Sequence, residues 1–339
     1  MPRLVLAAET GPELGLGHVV RTISLAAHAG ANWSPVVVCL NKASGTVDTL
    51  ARRYGVDCQT ADDVGWSLSR PQSTAALVAL DPDVLVLDSP LISAESARVL
   101  TDSSIPFAYF GGTGVPLVPA DGYIWPGTDL RPNAQARETL SGIENIPLAP
   151  AFSMKAPRKR DGRIRTVLIT MGGVDRYDVS SIALRSIEAV LIDPVDVRVA
   201  IGAFFTNGET IKRQASASRH RVTLLEAPEE LTEVMNVADL AISGGGGTLS
   251  ELACLGVPAI GVEISANQRA GVRFFDAQGS IIGHKFSTAP QLEADLVRSL
   301  SSLLVDSTRV REMSATGRHL IDGRGAGRIL NWLVTTIAQ

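Results

Sequence analysis

Charge and aromatic side chains are both scarce in this chain: 19% of its 339 residues are charged and 5% are aromatic. Lysine and arginine number 31 against 35 aspartates and glutamates, a formal charge of −4. No basic excess is available to release counterions from a nucleic acid, so nucleic-acid binding is not expected. Cysteine is nearly absent. The three present, Cys39, Cys58 and Cys254, are an odd number without metal-ligand spacing, which points to a reducing, cytoplasmic setting. No apolar run reaches the about 18 residues of a membrane span, and Leu4 to Glu9 is too short for a signal peptide, so no integral membrane segment is expected. Sparse charge does not mean disorder here, because 45% of residues are hydrophobic and can build a core.

What is plentiful is glycine, 31 residues, and it is bunched: Gly15 and Gly17, Gly111 and Gly112, Gly172 and Gly173, and Gly244 to Gly247. Around these clusters short β-branched runs alternate with segments of helical spacing, the rhythm of an α/β protein with parallel sheets covered by helices. Strands are expected at Leu4–Glu9, Val36–Leu40, Val84–Leu87 and Ile105–Phe110, with helices at Ala43–Tyr54 and Ser73–Leu80. A proline-containing basic passage follows, with Lys155, Arg158, Lys159, Arg160, Arg163 and Arg165, and reads as a solvated linker at a domain boundary near 150–163. The rhythm then restarts with strands at 166–170, 196–200, 222–225, 240–243 and 259–262, and helices at 178–191, 207–216, 228–237, 248–255 and after Asn267. The expected fold is two doubly wound, Rossmann-like domains, 1–150 and 163–325, facing across a cleft. A last helix, 326–339, is apolar enough to pack back on the first domain or to make a dimer contact; oligomeric state is open. Ligands of such sheets bind at the carboxyl ends of strands, where the glycine clusters fall.

Gly15-Leu16-Gly17-His18-Val19-Val20-Arg21 follows the first strand and runs into a helix. Glycines there allow close approach of a ligand, and the positive end of the helix disfavours a cationic ring, keeping His18 available as a general base. A dinucleotide fingerprint would need glycine where Val20 stands and an acid where Asn41 stands, so no nicotinamide cofactor is expected. Ser243 to Glu251 runs from strand through four glycines into a helix, and amides opening a helix cradle phosphate; Gly244, Gly245, Gly246, Gly247 and Thr248 are the candidates. Glu251 fits two readings, a ribose ligand or the acid of a Thr248-x-x-Glu251 capping box. Gly172 and Gly173, after strand 166–170, either offer amides to a diphosphate or form an ordinary turn, and Asn267 and Gln268 can reach a sugar or phosphate. His28, His220, His284 and His319 have no partners at metal spacing, so no metal is expected.

Gly-Leu-Gly-His-x-x-Arg, Met-Gly-Gly-Val-Asp at 171–175, and Gly-Gly-Gly-Gly-Thr-x-x-Glu-x-x-x-x-Gly-Val-Pro followed by Asn267-Gln268 together resemble the GT-B superfamily of nucleotide-sugar enzymes. Within it the chain is similar to the UDP-sugar hydrolases of the pseudaminic acid pathway and to spore-coat polysaccharide biosynthesis proteins. The resemblance implies a nucleotide-sugar substrate and metal-free attack of water at the anomeric carbon with inversion. His18 would be the base, Gly17, Gly172, Gly173 and Gly244 to Gly247 with Thr248 would face the diphosphate, and Glu251 would take the ribose. Asn267, Gln268 and Asp88 would face the sugar. Three positions depart from the family's pattern: Asp88-Ser89-Pro90 replaces Asp-His-Tyr, Gly111-Gly112 replaces paired aspartates, and Ala7 replaces an arginine. The same motifs also fit an inverting glycosyltransferase, in which an acceptor hydroxyl replaces water, and an inactive nucleotide-sugar-binding protein.

Overall fold

The computed structural model describes residues 1–10, 17–40, 45–60, 66–111, 118–127, 135–202, 204–228 and 230–338. Gly15, Leu16, Asn41, Gly112 and the start of the helix expected at Ala43–Tyr54 lie outside them. The chain divides into two compact units, Met1–Met154 with Gly323–Gln339, and Lys155–Asp322.

The first unit runs β1 (Arg3–Glu9), α1 (Gly17–Ala27), β2 (Ser34–Leu40), α2 (Gly45–Tyr54), β3 (Asp57–Thr60), α3 (Pro71–Val78), β4 (Val84–Asp88), α4 (Ala94–Ser103), β5 (Phe107–Phe110), β6 (Ala120–Trp125), β7 (Ala136–Ser141) and a short α5 (Pro150–Ser153). The strands form one sheet in the order β3-β2-β1-β4-β5-β6-β7, each pair parallel. β1 and β4 are buried on both faces, which is why they read as unbroken apolar runs. Alternate residues of β1 enter different cores: Leu4, Leu6 and Ala8 pack with Val19 and Ile23 of α1, whereas Val5 and Ala7 pack with Leu77 of α3 and Leu100 of α4.

β6 and β7 escape a reading by pattern. β6 carries Asp121 and Gly122 inside it, and β7 is a largely exposed, polar edge. Gly122 is there because a Cβ would stand 2.6 Å from Trp332 Cη2. Trp332 belongs to α13 (Gly325–Trp332), which continues as a π turn over Leu333–Ile337; Ala326, Ile329, Leu330, Leu333 and Ile337 join the core of the first unit on the α1 face.

The second unit runs β8 (Thr166–Thr170), α6 (Val179–Val190), β9 (Asp196–Ile201), α7 (Gly208–Ala217), β10 (Arg221–Glu226), α8 (Thr232–Val237), β11 (Leu240–Gly244), α9 (Thr248–Cys254), β12 (Ala259–Glu263), α10 (Arg269–Ala277), β13 (Ile281–Lys285), α11 (Ala289–Val305) and α12 (Ser307–Leu320). Its sheet, β10-β9-β8-β11-β12-β13, is parallel too. In both sheets the winding reverses beside the first strand, between β1 and β4 and between β8 and β11, the place where open α/β sheets bind ligands.

Arg158, Lys159, Arg163 and Arg165 of the basic passage are exposed, as expected of a solvated stretch, but Arg160 is not. Arg160 is buried and donates to the carbonyls of Asn236, Ala238 and Leu255, closing the carboxyl ends of α8 and α9. Burial brings its guanidinium down to about 10. Arg158 pairs with Asp239 and Lys155 with Glu233 at 2.5 Å. Within such a run, a single cation like Arg160 looks like surface until the helix ends it caps are known. No helix of the described residues is long and apolar enough to cross a membrane.

Candidate functional site

In the first unit the site grows from the reversal point between β1 and β4. Gly17 opens α1 with open space where a Cβ would lie, and His18 follows with 24% of its side chain exposed. His18 Nδ1 donates to Asp88 Oδ1 at 2.6 Å. Asp88 ends β4 with 1% of its side chain exposed, and Arg21, one turn along α1, donates to both of its oxygens, Nε to Oδ2 at 2.6 Å and Nη2 to Oδ1 at 2.5 Å. Burial works to raise the Asp88 carboxyl, but the Arg21 charge and the bonds from His18 and Arg21 outweigh it and hold the group below the usual carboxylate range. The carboxylate thus engages Nδ1, and no described residue occupies Nε2.

Asp88 is therefore not placed to touch a sugar: both oxygens face inward and are taken. Beneath it, Glu9 at the end of β1 is fully buried, accepting from the Leu68 amide at 3.1 Å and from the Ser89 hydroxyl. Burial pushes its carboxyl up, with the Ser67 and Leu68 hydrogen bonds and the His18 charge pulling back. Gly111, which replaces an acid of the resembled family, has a packing cause. A Cβ there would run into Tyr123 Oη and stand 2.7 Å from Trp125 Cε3, so the rings of β6 fill the place an acidic side chain would need.

In the second unit the glycine clusters meet at the other reversal point. A Cβ on Gly244 would lie 3.5 Å from the Met171 carbonyl oxygen, so the turn after β8 and the turn after β11 adjoin. The four glycines do not act alike. Gly244 is the last residue of β11, and the Gly245 amide donates to the Val262 carbonyl at 2.9 Å, so Gly245 cannot offer its N–H to a phosphate. Gly245 is glycine because a Cβ would collide with Val272 Cγ2 and crowd Gln268. Gly246 and Gly247 are exposed, Thr248 is half-buried, and their amides meet no acceptor among the described residues. Gln268 Oε1 accepts from the Ile264 amide at 3.0 Å, which turns its NH2 group toward Gly246. Asn267 lies exposed beside it, its Oδ1 accepting from Ser265 Oγ at 2.5 Å. Gly172, with φ +76°, and Gly173 are exposed in a tight turn whose carbonyls press on Gly202.

Glu251 is not a capping acid. Gly247 is the cap residue of α9 and no side chain bonds the helix start. The carboxylate is half-buried with no hydrogen-bond partner among the described residues, and burial pushes it up to about 7. Asp175, the last residue of the Met171–Asp175 motif, does cap: its carboxylate accepts from the Val179 and Ser180 amides at 2.8 Å each, anchoring the turn that carries Gly172 and Gly173 to α6.

No family model matches the chain. The spore coat polysaccharide biosynthesis protein SpsG of Bacillus subtilis is 24% identical over 192 residues, 56% of this chain and 56% of SpsG, so the similarity spans little more than half of either. Among solved structures, MurG of Acinetobacter baumannii is similar over 98% of this chain and 99% of its own, at 15% identity and a TM-score of 0.68. The UDP-GlcNAc 2-epimerase of Neisseria meningitidis, bound to UDP-GlcNAc, is similar over 98% and 99%, at 14% identity and a TM-score of 0.64. Together with the two sheets these likenesses show a GT-B fold of two Rossmann-like units.

Proposed function

We propose that this chain is a nucleotide-sugar enzyme, and specifically a hydrolase that releases UDP and free sugar from a UDP-sugar. The observation that carries the reading is the 2.6 Å hydrogen bond from His18 Nδ1 to buried Asp88, which leaves Nε2 as a fixed acceptor. A water held there loses a proton to Nε2 as its oxygen bonds to the anomeric carbon. The bond from that carbon to the diphosphate oxygen breaks, and its electron pair leaves with UDP. The negative charge gained by the leaving group is met by the free amides of Gly246, Gly247 and Thr248 at the start of α9, with the Gln268 NH2 group beside them. Glu251, an acceptor without a donor, suits the two ribose hydroxyls. The SpsG likeness and the UDP-GlcNAc complex of the epimerase support a UDP-sugar as the substrate class.

The test is UDP release from a panel of UDP-sugars with no acceptor added, for the unaltered chain and for His18→Ala. Hydrolysis predicts equal amounts of UDP and free sugar, lowered about 10²- to 10⁴-fold by the substitution. Release that depends on an added acceptor alcohol would replace water by that hydroxyl and make the enzyme a transferase. Binding without turnover would leave only a nucleotide-sugar-binding protein.

A further inference from the structure

Orienting a histidine base takes one hydrogen bond, yet the Asp88 carboxylate receives three. Arg21 Nε and Nη2 engage both of its oxygens, Oδ1 is shared between imidazole and guanidinium, and the guanidinium carbon lies 4.5 Å from the centre of the Phe110 ring. The arginine is thus pinned from two sides, by a buried carboxylate and by a buried ring.

A buried carboxylate alone beside an imidazole favours the cationic ring, by about one to three pH units. A cationic ring has no lone pair on Nε2 and cannot take a proton from water. A guanidinium on the same carboxylate cancels most of that field, and its own charge opposes a second cation. Among the described residues, the other ionisable groups facing the pair are Glu9 on β1, which burial pushes toward the neutral acid, and Tyr109 on β5, whose phenol burial pushes far above its ordinary range. Neither carries a positive charge that could stand in for Arg21.

We propose that Arg21 is a positioning residue of this site: by pairing with Asp88 it lets the carboxylate orient His18 without holding a proton on it. The inference rests on the reading of His18 as the base, and its first test needs no substrate. In the full chain, the His18 ring is titrated by NMR with labelled histidine in the unaltered protein, Arg21→Gln and Arg21→Lys, with folding followed by thermal melts. The His18 midpoint should rise by about one to three pH units in Arg21→Gln and stay within about half a unit in Arg21→Lys, which restores the charge. Arg21→Met, whose apolar stem still packs on Phe110, replaces the glutamine variant if that does not fold. In UDP release, the acid limb of kcat should move up with the midpoint in the neutral variant while KM stays within about threefold. An arginine that is merely structural would lower Tm and kcat at every pH and leave the midpoint in place, and that result overturns the proposal. If the midpoint moves but His18→Ala leaves UDP release intact, the pairing stands and the assignment of His18 as base falls.

Discussion

Glu251→Gln offers a direct measure of the site on the second unit. The carboxylate is half-buried on α9, without a donor among the described residues, and burial alone pushes it from 4.5 up to about 7. The whole interval corresponds to about 3 kcal/mol, and to about 2 kcal/mol once the water that still reaches the group is allowed for. The sign follows from the raised value. Below pH 4.5 the group is neutral folded or unfolded and costs nothing; as pH rises to 7 and beyond, the unfolded chain ionises freely while the folded one must charge a desolvated carboxylate, so stability falls. Glutamine mimics the neutral acid at every pH. Glu251→Gln should therefore exceed the unaltered protein at pH 8 by about 4–8 °C in the transition of the second unit, and by only about a quarter as much at pH 5. Titration calorimetry with UDP supplies the other half. Ribose hydroxyls donate to the ionised carboxylate, so at pH 6.5 UDP binding should release protons and 2′-deoxyuridine diphosphate should release fewer. Glu251→Gln should lose about tenfold or more in UDP affinity at pH 8. Equal Tm shifts at pH 5 and pH 8 would refute the desolvated carboxylate, and unchanged UDP affinity would refute the ribose contact.

Asp88→Asn keeps the shape of the dyad but loses the anion that fixes the His18 tautomer; kcat for UDP release should fall about 10²- to 10⁴-fold with little change in KM. Gly245→Ala sets a Cβ against Val272 Cγ2 and should destabilise by about 1–3 kcal/mol in urea denaturation, with part of the loss recovered in Gly245→Ala/Val272→Ala. Arg160→Met removes the donor shared by three helix-end carbonyls and should cost about 3 kcal/mol, read as earlier exchange of amide hydrogens in α8 and α9 than in α6.

Which parts of this molecule are legible in the sequence follows from the range of the interactions. Strands such as β1, β4, β8 and β11 announce themselves because both of their faces are buried, so nearly every residue must be apolar. β7 does not, because it is an exposed edge with nothing to repeat. The glycines after strands mark turns locally, but their separate jobs do not show: Gly245 owes its identity to Val272, and Gly111 to Tyr123 and Trp125, all distant in sequence or on another strand. Likewise Arg160 looks like one more surface cation until α8 and α9 bring their carbonyls to it.

The sequence by itself determined an α/β chain of two parallel-sheet units, with glycine-rich turns at strand ends and a histidine opening the first helix, because periodicity, helix starts and turns are written in neighbouring residues. Only the tertiary structure decided what those residues meet. Asp88 reaches His18 from 70 residues away because β4 pairs with β1, and that pairing made an expected sugar contact the buried partner of His18. Glu251 was left between a cap and a ligand by its spacing. The geometry of the helix start, where Gly247 is the cap and no side chain bonds the first amides, decided against the cap, and the raised carboxyl comes from what packs around it, which no local pattern encodes.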